Sequence, residues 1–182
     1  MRHGRADVGR HLTYAAPMRR LLVGALLALS AVLATASAAT ASEAMGTARA
    51  GRYYTTISCP AAAAGDRFQK VVGHGTGMIS LQQAKRRLPE LRRESSRYAK
   101  PLNNFARRAF NPPAPWPSSV DRLVNRFATL ITRFGDLLRR MGNARTAPEW
   151  IRLLNQAGRI KFGDLGAQIK ARLDLPPPGE GC

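Results

Sequence analysis

The sequence predicts an all-α protein: a small up-and-down helical bundle of three long helices and one short N-terminal helix, following a cleaved export signal. Three observations predict it. Two long runs keep apolar residues at alternating three- and four-residue intervals, the seam of a bundle helix. No segment alternates apolar and polar residues as a half-buried strand would, and no repeat recurs at a solenoid period. Connections between the runs are short and rich in proline or glycine, so neighbouring helices should pack antiparallel.

The chain divides into 1–41, 42–58 and 59–182. Met18 to Ala41, MRRLLVGALLALSAVLATASAATA, reads as an export signal. Arg19 and Arg20 precede an apolar run from Leu21 to Leu33, which dissolves into small residues with A-x-A frames. Met18 is a second candidate start, because residues 1–17 make a long n-region. An uncleaved anchor would need about 20 mostly apolar residues, and the strongly apolar part here is shorter. Residues 42–58 are small and polar at first and are expected to be flexible.

Pro60 is placed to open a short helix over Pro60–Val72, where its missing N–H costs nothing. Gly73, Gly75 and Gly77 then mark a turn. The next helix has its seam at Leu81, Ala84, Leu88, Leu91, Ser95, Tyr98, Leu102, Phe105 and Ala109. Pro89 and Pro101 fall inside it, yet the phase of the seam is unchanged across both, which implies one kinked helix or collinear pieces. The run NPPAPWP (111–117) forbids helix. Ser118 with Asp121 suggests a capping-box start for a seam of Val120, Leu123, Phe127, Leu130, Phe134, Leu137 and Met141. Gly142-Asn143 ends it. Thr146, Pro148 and Glu149 form another N-terminal signature, for a third long helix from Trp150 to Leu173 weakened by Gly158, Gly163 and Gly166. Pro176 to Pro178 terminate it before a Pro/Gly tail. The two clean seams would measure about 45 and 33 Å. Trp116 and Trp150 open successive helices and are expected to cap the core at its two ends.

The chain carries 29 Lys and Arg against 11 Asp and Glu, a formal charge of +18. Without residues 1–41 the counts are 24 and 10. Such a surplus attracts anionic partners: acidic lipid headgroups, anionic wall polymers or nucleic acid. The competing explanation is that the arginine-rich, lysine-poor composition partly reflects the base composition of the genome. Cys59 and Cys182 are the only cysteines, and an even count in an exported chain reads as a disulfide. No metal or cofactor is expected, since His74 is the only histidine after the signal and no CxxC occurs. Catalytic triads and phosphate loops fail on the same inventory; Gly73-His74-Gly75-Thr76-Gly77 lacks the Lys-Ser/Thr ending.

The functional handle is a basic stripe on the second helix: Lys85, Arg86, Arg87, Arg92, Arg93, Lys100, Arg107 and Arg108, at e, f and g when Leu81 is position a. Arg97 lies off that side. Only Glu90 and Glu94 are available on this helix to neutralise it, so these residues are candidates for polyanion binding. An ordinary solvated face with i, i+3 and i, i+4 ion pairs is the alternative. Tyr98 and Phe105 belong to the seam and are not interleaved with the charge, so specific nucleic-acid recognition is not expected.

Tyr53-Tyr54 with Cys59-Pro60, Trp116-Pro117 opening a helix, and Leu173-Asp174-Leu175-Pro176 with Gly181-Cys182 resemble a loose group of small exported, alanine-rich helical proteins of unknown function from high-GC Gram-positive bacteria. The resemblance implies an envelope or extracellular location and a terminal disulfide, and it implies no catalytic residues. Three functions compete. The first is a secreted or envelope-associated, non-enzymatic bundle binding an unidentified envelope component or protein. The second binds polyanions through the basic stripe. The third, an enzyme or carrier of a small ligand, requires a cavity between the seams; a fully packed core would count against it.

Overall fold

A computed structural model describes residues 43–73, 79–177 and 182, all within the unit Ser42–Cys182. The export signal read in 1–41, His74 and the glycine turn after Gly73 lie outside the described residues. The described residues form five helices and no strand: α1 (Thr47–Val72), α2 (Leu81–Phe110), α3 (Asp121–Gly142), α4 (Ala147–Gly158) and α5 (Leu165–Arg172). None is long and apolar enough to cross a membrane.

α1 corrects the expectation of a flexible 42–58 segment and of a helix beginning at Pro60. The helix begins at Thr47, and Pro60 sits in its interior. Ala50, Tyr54, Ile57, Ala61, Ala64 and Phe68 recur at three- and four-residue intervals and are all buried. An interior proline costs a helix about 3 kcal/mol, while burying each of Tyr54, Ile57 and Phe68 returns about 1.5–3 kcal/mol. Burial therefore wins, and the proline is confined to the exposed side. Met45, 3 % exposed, fixes the approach to α1 by donating its N–H to the Pro115 carbonyl at 2.8 Å.

α2 is continuous through Pro89 and Pro101. A capping box starts it: the Ser80 hydroxyl accepts from the Gln83 N–H, and the Gln83 side chain accepts from the Ser80 N–H. Leu81 is 44 % exposed and drops out of the expected seam, whereas Ala99 and Ala106 are buried beside it. The reason is position. α2 packs against α1, α3 and α4, so it buries a face wider than a single seam.

Ring and backbone contacts give the directions. Tyr54 meets Phe105 and Phe68 meets Tyr98, so α1 runs opposite to α2. Phe105 meets Phe127 and Tyr98 meets Phe134, so α3 also runs opposite to α2. Where these two helices come closest the residues are small: a Cβ on Gly142 would collide with the Ser96 hydroxyl, and one on Gly135 with the Asn103 side chain. The buried α3 residues are accordingly Val124, Ala128, Ile131, Gly135, Leu138, Met141 and Gly142. Of the residues expected in the seam, Val120 and Met141 are buried, while Phe127 and Phe134 are half-buried and meet Phe162 as well as Phe105 and Tyr98 of α2.

Two further expectations are corrected. No side chain caps α3; Val120 holds the N-cap position, and its N–H bonds to the Pro117 carbonyl in a turn. The third long helix breaks in two. α4 stops at Gly158, Gly163 adopts φ 56°, and α5 begins two residues later. Thr146 does cap α4, accepting from the Glu149 N–H at 3.3 Å. Asp174 then adopts φ 52°, and the Leu175 N–H returns to the Lys170 carbonyl at 2.9 Å, closing α5 with a left-handed C-terminal cap.

Both indoles are buried and hydrogen-bonded. Trp116 donates to the Ala109 carbonyl at 2.8 Å and stacks on Tyr53 at the C-terminal end of α2. Trp150 lies not at the opposite end but beside the middle of α2, donating to the Ser95 hydroxyl at 3.1 Å. Cys59 and Cys182 form a disulfide with Cα atoms 5.2 Å apart, tying α1 to the C-terminal residue. Such a bond fits an oxidising, extracytoplasmic setting.

Candidate polyanion-binding face

Helical geometry sets the charged face. Arg86, Arg93, Lys100 and Arg107 recur every seventh residue, about 10 Å apart along α2, and all four are exposed. Lys85, Arg86 and Lys100 have no hydrogen-bond or ion-pair partner among the described residues.

The fold employs the remaining cations of the stripe in different ways. Arg87 grips Glu90 with two hydrogen bonds, at 2.8 and 3.1 Å. That grip holds the Glu90 carboxyl below its ordinary range. Both groups are solvated, so the pair adds little stability. Arg92 turns inward and donates to the Gly142 carbonyl at 3.2 Å, closing the C-terminus of α3. Arg108 lies over the Tyr53 ring at 5.3 Å, and the Tyr53 hydroxyl donates to the Arg108 carbonyl. Arg93 and Arg97 share Glu94, at 3.9 and 2.7 Å. Arg107 donates to the Asn104 side chain.

The stripe is therefore not one uniform site. Its outward part opens onto a shallow groove between α1 and α2, lined by Pro60, Ala63 and Arg67 from α1 and by Arg97, Lys100, Pro101, Asn103, Asn104 and Arg107 from α2. Four cations and two side-chain amides line it, with no carboxylate among them. Arg67 and Arg97 were not among the candidates read from the sequence. Arg67 belongs to another helix, and only the antiparallel pairing of α1 and α2 brings it to the face. Arg97, off the heptad side, was nevertheless legible: it stands three residues before Lys100.

A second concavity separates α1, α2, α3 and α5. It is a cleft of about 380 Å³ walled by Tyr54, Tyr98, Leu102, Phe105, Phe127 and Ile131, with Asp66 and Lys170 also lining it. Burial pushes the Tyr54 phenol far above the ordinary tyrosine range, and burial with the Asp66 charge raises Tyr98 too. Below about pH 10 both phenols are neutral whether the chain is folded or unfolded. Above it the unfolded chain loses these protons first, so folding stability is lost as pH rises from about 10 toward the folded values. The phenolate absorbance of native protein should lag that of denatured protein on alkaline titration, and Tyr54→Phe should reduce the lag.

No protein-family pattern matches the chain, and neither the curated proteins nor the solved structures provide a match.

Proposed function

We propose that this is an exported, non-enzymatic helical-bundle protein that binds an anionic component of the cell envelope, a wall polymer or acidic lipid surface, through the α1–α2 groove and the basic line of α2. The observation carrying this reading is the groove itself: Arg67, Arg97, Lys100 and Arg107 converge from two helices with no carboxylate lining it. Surplus charge scattered on a solvated surface would not need to converge. The Arg86, Arg93, Lys100, Arg107 line extends the groove along α2, which suits a polymer of repeating charge. The signal-like segment 18–41 and the disulfide support export.

Heparin and a soluble anionic polyphosphate serve as probes. Changing Arg67, Arg97, Lys100 and Arg107 to glutamine should move elution to lower salt and make the dependence of log K on log salt shallower by up to about 3. The control removes the same charge from α3, at Arg122, Arg126, Arg133 and Arg140, and should weaken binding much less. Equal weakening by both sets would reduce the groove to undirected net charge. Retention on anionic vesicles but not on the polymers would identify a membrane surface as the partner.

A second reading, a protein partner, is favoured by one observation. Leu81, 44 % exposed, lies with Pro148 and Ile151 in an apolar groove beside α4.

A further inference from the structure

Among the described residues, buried side-chain polar atoms have partners: Trp116 has the Ala109 carbonyl, Trp150 has Ser95, and Ser95 has the Leu91 carbonyl. Tyr54 stands apart. Its side chain is 3 % exposed, yet its hydroxyl makes no hydrogen bond and is not sealed in. Tyr54 is among the residues that line the 380 Å³ cleft, which is where its hydroxyl can meet a partner. A buried hydroxyl without a partner is costly, and the fold tolerates this one only where something from outside can reach it.

Tyr98 repeats the pattern from α2. Its ring is wedged between Phe68 and Phe134, at 5.5 and 5.7 Å, and its hydroxyl has no partner among the described residues. The hydroxyl lies over Gly65, 2.9 Å from where a Cβ would stand. Glycine inside a helix costs about 1 kcal/mol relative to alanine. Here it makes the room that the Tyr98 hydroxyl occupies. Two tyrosines whose hydroxyls lack partners among the described residues thus line one cleft, whose larger walls, Leu102, Phe105, Phe127 and Ile131, are apolar and whose other polar members are Ser58, Asp66 and Lys170.

We propose that this cleft binds a small, neutral, mostly apolar molecule bearing an oxygen acceptor, such as a ketone or ester carbonyl, which takes hydrogen bonds from Tyr54 and Tyr98. The volume lies in the range of small-molecule sites, and it holds about a dozen waters if empty of ligand. Apolar walls release that water on binding, while the phenols fix orientation. A negatively charged ligand fits less well. Asp66 stands at the lining, and Lys170, the one cation there, already donates to the Pro177 carbonyl. The cleft adjoins the basic groove at Ala63 but contains none of its four cations, so its ligand is not the polyanion.

The test uses 2-acetonaphthalene, its hydrocarbon counterpart 2-ethylnaphthalene and the anion 2-naphthoate, titrated into disulfide-intact protein by calorimetry. The ketone should bind saturably at one site and more tightly than either other probe. Tyr54→Phe and Tyr98→Phe should each weaken the ketone about three- to tenfold, the worth of one neutral hydrogen bond, and leave the hydrocarbon unchanged. Ala62→Trp, on the exposed rim of the cleft, should abolish binding without lowering the melting temperature. The proposal is overturned if the ketone does not saturate, if both phenylalanine variants bind it as well as the native chain, or if naphthoate binds best.

Discussion

Removing the Cys59–Cys182 bridge should cost the folded chain about 5 kcal/mol, the largest single loss expected from any two-atom change in this protein. The bond joins residues 123 apart, and closing a loop that long removes a large share of the unfolded chain's freedom. The bundle should survive the loss at room temperature. Independently of the bridge, the C-terminal turn sits against α1: the Leu173 carbonyl lies 3.1 Å from where a Cβ on Gly51 would stand, and the Leu175 side chain lies beside it. The double variant Cys59→Ser, Cys182→Ser should therefore keep native helix content at 20 °C by circular dichroism. Its melting temperature should fall by on the order of 15 °C. An unchanged melting temperature would mean that the packing of Leu173 and Leu175 already confines the chain end, leaving the bridge little entropy to remove.

Trp150→Ala should rank next, with a loss of about 3–5 kcal/mol. The indole is fully buried, and its N–H bonds to the Ser95 hydroxyl, which in turn bonds to the Leu91 carbonyl at 2.7 Å. Volume and hydrogen bond are separable. Ser95→Ala keeps the packing but orphans the indole N–H, and should cost about 1–3 kcal/mol. Trp150→Phe removes the donor, so adding Ser95→Ala to it should cost much less than Ser95→Ala alone. Denaturant unfolding of the four proteins closes the cycle. Strict additivity would show that the Ser95–Trp150 bond contributes nothing beyond its two side chains.

The helices were legible where hydrophobic spacing marks them. α2 was readable across two prolines because Leu91, Ser95, Leu102, Phe105 and Ala109 keep their phase. The start of α1 was not, because Thr47 to Tyr54 carries its apolar stripe largely on Ala50 and Gly51, residues that a hydropathy reading passes over. The α2–α3 contact was legible only in part, for the same reason: Phe127 and Phe134 do meet α2 and Met141 is buried, but Ala128, Gly135 and Gly142, buried because they are small, were passed over. Three glycines announced the weakness between α4 and α5, but only the backbone shows the chain stopping at Gly158. The basic stripe could be read as charge, yet nothing along one helix distinguishes Arg92, which closes α3, from Lys100, which faces the groove. The two clefts depend on which helices become neighbours, and that is settled by packing.

The interior prolines have a further consequence for the groove. Pro60 in α1 and Pro101 in α2 both line it, and each lacks the N–H that would close a rung of its helix ladder one turn back. The two walls are thus missing rungs on the side that faces the groove, while the core-facing rungs remain under Ile57, Ala61, Leu102 and Phe105. The missing donors leave the carbonyls of Thr56 and Arg97 without their usual partners one turn along each helix. The groove's two walls thus have fewer backbone hydrogen bonds on their outer side than on the side that faces the core.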